Sequence, residues 1–135
     1  MAKILSMPAS GGASFPFDLL AQTWSPNSPS ANTAVAQNAT VTFTMTGRTP
    51  KIKSNCALQG TMCRNQSQGN YADIEVSEDS ATWTALTIPT GASNTFPVSI
   101  SLNDYVDKEL YIRVIAKNAN PNTITYVPIT AMSIV

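Results

Sequence analysis

The chain of 135 residues contains no histidine and only eight Lys or Arg and eight Asp or Glu residues. Histidine is the usual general acid or base near neutral pH and the commonest metal ligand, so its absence argues against catalytic and metal-binding classes. No apolar run approaches the length of about 18 residues that a membrane helix needs, which argues against a membrane partner. The two cysteines, Cys56 and Cys63, do not complete a usual zinc site without histidine. We therefore expect no metal and no cofactor.

The start of the chain gives an expectation about compartment. Residues 1–8 lack the apolar segment of a secretory signal, which predicts a product made and kept in the cytoplasm. A disulfide between Cys56 and Cys63 would close a small loop. Free thiols are typical of cytosolic proteins. Both states of the cysteines are open at this point.

The sparse charges are unevenly distributed along the chain. The stretch between the acidic residues at positions 18 and 73 contains four basic residues and no acidic one. These basic residues are Arg48, Lys51, Lys53 and Arg64. Such polarity can steer docking onto an oppositely charged surface, although chance in a charge-poor chain also explains it. The basic residues are too sparse for a nucleic-acid surface, so no nucleic-acid partner is expected.

The residues that are abundant are typical of β-structure. Thirty residues are Ser or Thr, and several segments alternate apolar and polar residues. This alternation is the period of a strand with one buried face. It predicts strands over 40–46, 71–77, 81–88, 96–102, 109–116 and 123–135. A weaker strand is predicted near 51–58, followed by a loop over 59–70.

Local features refine this strand pattern. The polar turn at 78–80 joins its two neighbouring strands into a hairpin. The segment 109–116 is the most apolar, which predicts a central strand. Pro128 makes the last strand an edge strand or introduces a bulge, because proline cannot donate to a strand ladder.

No segment shows helical periodicity over ten residues or more. The sequence therefore predicts an all-β protein: a single antiparallel β-sandwich, immunoglobulin-like or jelly roll, with an extended N-terminal arm. The predicted division is an arm over 1–38 and a sandwich over 39–135. The alternation predicts a core formed by Val41, Phe43, Ile74, Val76, Trp83, Val98, Ile100, Ile112 and Val114.

The predicted arm carries one apolar cluster between segments rich in Pro, Ser and Gly. The cluster consists of Phe15, Phe17, Leu19, Leu20 and Trp24. Left in water such a patch is a liability, so it either folds back on the sandwich or docks on another chain. We favour docking, because folding back does not explain the Pro/Ser/Gly spacing on both sides. The cluster and the four basic residues are our predicted partner-binding residues.

Acid pairs are the catalytic candidates in this sequence. Glu78 and Asp79 lie in the predicted hairpin turn, where acidic residues are common for turn reasons. Asp104 and Asp107 flank Tyr105 with a spacing unlike that of a calcium-binding loop. No motif places two carboxylates across a cleft, so we expect no enzymatic activity.

Four aromatic residues offer a different kind of site. They are Trp24, Trp83, Tyr105 and Tyr126. Aromatic side chains can line a sugar-binding face. A core position is the favoured alternative for Trp83.

Short motifs resemble known domains. Tyr111-Ile-Arg-Val114 resembles the Tyr-x-Arg-Val run in the sixth strand of immunoglobulin and fibronectin type III-like domains. The hairpin from Ile74 to Leu86 resembles the third and fourth strands of such domains in phage and bacterial surface proteins. The likeness covers roughly residues 38–135, and the long segment 47–70 departs from it, which keeps a jelly roll open.

The whole chain resembles the capsid decoration (cement) proteins of tailed phages in its size, its unsecreted start, its Thr/Ser/Asn-rich β character and its N-terminal arm. The resemblance implies a non-catalytic virion protein, made in the host cytoplasm and located on the capsid exterior. It implies binding to the major capsid protein and to copies of itself, which reinforces the shell. The alternative is a carbohydrate- or receptor-binding module of a phage tail, baseplate or surface protein.

Overall fold

The structure, a computed structural model, describes residues 15–62, 64–65, 70–88 and 96–135. It is an all-β protein, as predicted. In chain order the strands are β1 (Phe17–Asp18), β2 (Trp24–Ser25), β3 (Ala34–Val35), β4 (Thr40–Met45), β5 (Ala57–Met62), β6 (Arg64–Asn65), β7 (Asn70–Ser77), β8 (Thr84–Leu86), β9 (Phe96–Ser101), β10 (Tyr111–Asn118), β11 (Thr125–Tyr126) and β12 (Ile129–Ile134). A short 3-10 helix, Asn103–Tyr105, lies between β9 and β10.

The strands form two main antiparallel sheets and one small one. The four-stranded sheet has the order β1-β12-β5-β9, and the six-stranded sheet has the order β2-β4-β10-β7-β6 with β8 also paired to β7. Strands β3 and β11 form a separate two-stranded sheet. Buried side chains from both main sheets belong to one hydrophobic cluster, which makes the fold the predicted antiparallel β-sandwich.

The strand order favours the jelly-roll alternative over the immunoglobulin-like one. If β1, β4, β5, β7, β8, β9, β10 and β12 are counted as strands one to eight, one sheet has the order 1-8-3-6 and the other has the order 2-7-4-5. This is the arrangement of an eight-stranded jelly roll. Immunoglobulin-type domains instead place their last two strands side by side in one sheet, whereas β10 and β12 lie in different sheets here.

Most of the predicted core is confirmed. Six of the predicted residues are buried: Phe43, Ile74, Val76, Val98, Ile112 and Val114. Val41 and Ile100 are half-buried and pack against the core from its rim. Strand β10 lies between β4 and β7, which confirms that the most apolar strand is central.

The core position predicted for Trp83 is wrong. The strand after the hairpin turn begins only at Thr84, so the alternation of that strand does not extend to Trp83. Trp83 is half-buried, and its ring lies 4.3 Å from the Arg113 guanidinium carbon. Arg113 is on the outward face of β10, since its neighbours Ile112 and Val114 are buried. Trp83 therefore covers the outside of the sheet.

The weak strand predicted near 51–58 and the loop predicted over 59–70 are also corrected. A full strand, β5, runs from Ala57 to Met62 between β12 and β9. Its inward positions carry Leu58, Gly60 and Met62, and the glycine interrupts the apolar alternation. A Cβ at Gly60 would lie 2.3 Å from the carbonyl oxygen of Ala131. Close approach of β12 requires glycine there, and this requirement hides the strand in the sequence.

The last predicted strand is divided at Pro128. Strand β11 precedes this proline and β12 follows it. The pairing of β12 with β5 shifts register between Ile129 and Ala131, which agrees with the predicted bulge. Strand β12 is not an edge strand, because β1 pairs with its other side.

The described part of the predicted arm belongs to the sandwich. Strand β1 pairs with β12, β2 pairs with β4, and β3 pairs with β11. Proline excludes helices, but it does not exclude strands of two residues between prolines. The chain from residue 15 to residue 38 therefore differs from a free arm. Residues 1–14 lie outside the described residues.

Candidate functional site

The loops of the sandwich gather at two opposite ends that differ in charge. One end, here called the charged end, is formed by residues 46–56, 78–83 and 102–110, which include nine charged residues. The other, here called the uncharged end after its loops, includes the loop segments 26–39 and 119–128, which contain no charged residue, while Arg64 of β6 pairs with Tyr71 near the same end. The two ends therefore offer candidate binding surfaces of different chemistry.

At the charged end, two loops are bonded to each other through their backbones. The amide of Thr49 donates to the Leu110 carbonyl at 2.8 Å, and the Thr49 hydroxyl accepts from the Leu110 amide at 3.0 Å. The amide of Ile52 donates to the Lys108 carbonyl at 2.9 Å, and the Asp107 amide donates to the Ile52 carbonyl at 2.8 Å. Thr49 is buried, so its hydroxyl satisfies a backbone donor that water cannot reach. The loops form a fixed platform for their side chains.

Three of the predicted basic residues lie on this platform. The guanidinium group of Arg48 lies 3.6 Å from a Glu109 carboxylate oxygen and 5.7 Å from the Tyr111 ring centre. Lys51 and Lys53 are exposed, and neither forms an ion pair within the described chain. The Lys53 ammonium lies 5.9 Å from the ring centre of Phe15. The side chain of the fourth residue, Arg64, is outside the described part of the chain.

The predicted apolar cluster is divided between core and surface. Leu19 is fully buried and Trp24 is 5% exposed, and both belong to the core. The indole nitrogen of Trp24 donates to the Leu19 carbonyl at 2.8 Å. Phe15, Phe17 and Leu20 are half-buried and pack against the core. For Leu19 and Trp24 the structure thus has the fold-back arrangement, because their side chains fill the space between the two sheets.

The hairpin acids have structural partners. One carboxylate oxygen of Asp79 accepts from the amides of Thr82 at 2.8 Å and Ala81 at 2.9 Å, and from the Ser77 hydroxyl at 2.9 Å. These bonds, with Thr82 first, lower the pKa of Asp79 below its ordinary value of 3.8. Glu78 lies 3.4 Å from the Lys108 ammonium. Both acids therefore hold the turn and its neighbouring loop in place.

Asp104 and Asp107 are exposed on the 102–110 loop. Asp107 adopts a positive φ of 68°, a turn conformation that aspartate tolerates better than most residues. Within the described residues, no group of three or more Cys, Asp or Glu side chains is placed to hold a metal ion. The turns at these positions account for the presence of both acidic residues.

The four aromatic residues do not share one platform. Trp24 is in the core, and Tyr126 is 56% exposed at the uncharged end. Tyr105 lines an open groove of about 410 Å³ beside the hairpin turn, with Ser77, Glu78, Asp79, Thr82 and Thr84 among the other lining residues. Trp83 lies against Arg113 on the outer face of the sheet. Tyr105 is thus the aromatic residue that meets polar groups in a concave site.

Sequence reasoning missed the organised outer face of the six-stranded sheet. Arg113 donates from Nε to Glu75 at 2.6 Å beneath the Trp83 ring. Further along β10, the Lys117 ammonium lies 5.6 Å from the ring centre of Tyr71. A cation and the face of an aromatic ring attract each other. Here two such pairs, Arg113 with Trp83 and Lys117 with Tyr71, cover the outer face of the sheet. The alternation Tyr111, Arg113, Lys117 along β10 is the sequence signal that could have indicated it.

Sequence reasoning also missed the organiser of the uncharged end. Asn118 lies beyond the strand predicted over 109–116, but it is the buried last residue of β10. Its amide nitrogen donates to the carbonyls of Val35, Ala36 and Thr123, at 3.2, 3.1 and 2.9 Å. Its oxygen accepts from the Asn120 amide at 2.9 Å. One buried amide thus joins two loop segments, residues 26–39 and 119–128.

The cysteines and the search for a membrane-spanning helix add no candidate site among the described residues. Cys56 is buried with a free thiol, which agrees with the free-thiol alternative for that residue, and Cys63 lies outside the described residues. Among the described residues, no helix is both long enough and apolar enough to cross a membrane. Comparison with known proteins gives no match: no family model, no curated protein and no solved structure matches this chain.

Proposed function

We propose that this chain is a non-enzymatic structural protein of a virion, which binds the outer surface of the capsid and reinforces the shell. Its partners in this proposal are the major capsid protein and copies of itself. The protein is made in the host cytoplasm and is located on the capsid exterior. The resemblance of the sequence to capsid decoration proteins is the origin of this proposal.

The observation that carries the proposal is the state of the cations at the charged end. Arg48, Lys108 and Arg113 each lie beside a glutamate. Among the described residues Lys51 and Lys53 form no ion pair, and Lys53 lies beside the half-exposed ring of Phe15. Two such cations, one of them next to an apolar ring, suit an acidic protein surface with an apolar patch. We call Phe15, Lys51 and Lys53 the basic face and assign capsid binding to it.

The state of the acids supports a role without catalysis. A catalytic carboxylate needs a pKa near the working pH, which burial or a neighbouring like charge produces. Asp79 instead has a lowered pKa caused by turn hydrogen bonds. Glu75, Glu78 and Glu109 are each beside a cation. These side chains stabilise the fold in the arrangement that the structure gives them.

The test is depletion and add-back on purified particles. Particles made without this protein are expected to break open at a lower temperature than wild-type particles. Adding purified protein is expected to restore the wild-type temperature and to give a fixed number of copies per shell by quantitative mass spectrometry. Particles that are equally stable without the protein, and that do not retain it when it is added, would show that the virion role is wrong.

One observation favours a second candidate, a carbohydrate-binding module. The groove beside the hairpin turn combines the Tyr105 ring with hydroxyl and carboxylate groups, as sugar sites do. This candidate predicts binding on a glycan array that is lost in Tyr105→Ala and retained in Lys117→Ala, which changes an exposed residue outside the groove. Glycan binding with that pattern, combined with no retention on particles, would favour the second candidate over the first.

A further inference from the structure

Residues 15–25, here called the N-terminal plug, close one side of the sandwich by joining both sheets. Phe17 and Asp18 pair with Ile134 and Ser133 of the four-stranded sheet. Trp24 and Ser25 pair with Met45 and Thr44 of the six-stranded sheet. The five residues between these strands therefore cross from one sheet to the other. The side chain of Leu19 is fully buried beneath this crossing.

The plug is attached by few backbone bonds and by the burial of its side chains. Apart from the two strands of two residues, its backbone bonds to the described part of the sheets join the Leu19 amide to the Met132 carbonyl at 2.9 Å and the Thr46 amide to the Thr23 carbonyl at 3.0 Å. A segment held in this way can open as one unit without unfolding the long strands. Leu19 and Trp24 then leave the core together.

The segment that follows the plug, residues 26–33, is long enough for the plug to reach a neighbouring copy of the chain. Residues 26–33 contain Pro26 and Pro29 and form no strand. Their bonds are mainly local, such as Thr33 amide to Ser30 carbonyl at 2.9 Å, and the far end is fixed where the Val127 amide donates to the Thr33 carbonyl at 2.9 Å. Proline-rich linkers favour extended forms. Eight residues span up to about 26 Å when extended, which is enough to bridge two touching domains.

We propose that the N-terminal plug exchanges between copies of this chain, so that residues 15–25 of one copy occupy the side of the next. A second copy supplies the same Leu19, Trp24 and backbone partners, so exchange reproduces the contacts that the plug makes within its own chain. The fraction of plugs that lie on a neighbouring copy then depends on the linker and on the local concentration. The inference rests on the self-association included in the proposed function, because copies side by side on a shell have a high local concentration.

The test uses two copies with one cysteine each, in a background in which Cys56 and Cys63 are replaced by alanine. One copy carries Asp18→Cys and the other, on a heavier tag, carries Ser133→Cys. These residues are direct strand partners, and Asp18 is exposed while Ser133 is half-buried, so the substitutions stay out of the core. The copies are mixed, concentrated and treated with a short thiol cross-linker. A covalent heterodimer forms between strand partners only when the plug of one copy lies on the other.

The control pair is Thr42→Cys on one copy and Ile115→Cys on the other, which are strand partners between β4 and β10 and do not involve the plug. We expect the plug pair to give at least tenfold more heterodimer than the control pair at the same concentration, and the yield to rise with concentration. Equal yields from the two pairs would overturn the exchange. When the same copies are cross-linked on purified particles, a bond from Asp18→Cys to capsid protein in place of a second copy would overturn it as well.

The same samples separate this inference from the virion role. Heterodimer formation without retention on particles would leave the exchange standing and contradict the capsid role. Retention on particles with a plug cross-linked only within its own chain would leave the capsid role standing and contradict the exchange.

Discussion

The charged and uncharged ends of the sandwich hold their long loops by different means. At the charged end, two loops bond along their backbones, with the Thr49 hydroxyl as the buried side-chain link. At the uncharged end, backbone bonds such as Asn38 amide to Asn120 carbonyl and the pairing of β3 with β11 also join the loops. There the buried side-chain amide of Asn118 adds bonds to two loop segments, residues 26–39 and 119–128. The two ends therefore differ in the buried side chain that supplements their backbone bonds.

The two ends also differ in the side chains that they expose to a partner. Backbone bonding at the charged end leaves side chains such as Lys51 and Lys53 exposed on a fixed frame. At the uncharged end, the polar side chain that fixes the loops is itself buried, and exposed Ile124 and Tyr126 lie beside it. Exposed unpaired charge gives orientation and partner choice. This difference supports the proposed docking at the charged end.

The two ends can be compared within one cooperative unit only if the same core supports both of them. Phe43 is 1% exposed and belongs to the core cluster shared by the two sheets. We expect Phe43→Ala to lower the free energy of unfolding by about 3–5 kcal/mol, because it leaves a large cavity. Chemical denaturation measures this value. A loss under about 1 kcal/mol, or separate transitions for probes at the two ends, would contradict a common core.

Removing the organiser of the uncharged end tests how much the Asn118 side chain adds to the backbone bonds there. Asn118→Ala leaves three carbonyls and one amide without their partner, and we expect a loss of about 3 kcal/mol. Hydrogen exchange is expected to increase in residues 26–39 and 119–128 and to stay unchanged in residues 46–56. Thr49→Val is the matched substitution at the charged end. A larger loss there than in Asn118→Ala would reverse the comparison.

The centre of the four-stranded sheet and the charged end differ in their need for glycine. A Cβ at Gly60 would meet the Ala131 carbonyl, whereas a Cβ at Gly47 has nothing within 4 Å. We expect Gly60→Ala to cost about 1–3 kcal/mol through backbone displacement. Gly47→Ala is expected to change stability by less than about 0.5 kcal/mol. Thermal denaturation of both variants measures the difference, and equal effects would contradict the close approach of β12 to β5.

The smallest expected effect is a response to pH confined to the charged end. The amides of Thr82 and Ala81 and the Ser77 hydroxyl lower the pKa of Asp79, so the folded state binds this proton less readily than the unfolded state. Its stabilising contribution is therefore full above pH 3.8 and is lost as the pH falls through the lower folded pKa. An NMR titration of the carboxyl carbon measures this pKa. A value at or above 3.8 would contradict the turn bonds.

The parts of the fold that the sequence predicted are those in which burial alternates without interruption. In 40–46 each apolar residue marks an inward position, and in 109–116 Leu110, Ile112, Val114 and Ala116 do so, and both segments contain strands. The pattern fails at β5, because Gly60 occupies an inward position for the close approach of Ala131. It fails at Trp83, because an indole ring that covers an arginine is as apolar in sequence as one in the core.

The candidate site was less predictable than the fold. The sequence identified Arg48, Lys51 and Lys53 as one basic stretch, and the structure places them on one loop. Their partners come from distant segments, such as Glu109 beside Arg48 and Phe15 beside Lys53. Which cations are paired therefore depends on tertiary contacts. The burial of Leu19 and Trp24 likewise depends on the space between two sheets, which no local pattern describes.

The most direct test of the account compares charge reversal on and off the basic face, with sedimentation on purified capsids as the measurement. Lys51→Glu/Lys53→Glu changes the basic face, and Lys117→Glu changes an exposed lysine at the far end of β10. The proposed capsid docking predicts at least tenfold weaker capsid binding for the double variant, near wild-type binding for Lys117→Glu, and unchanged melting temperatures. Capsid binding that is equal for all three proteins, or lost only in Lys117→Glu, would contradict it.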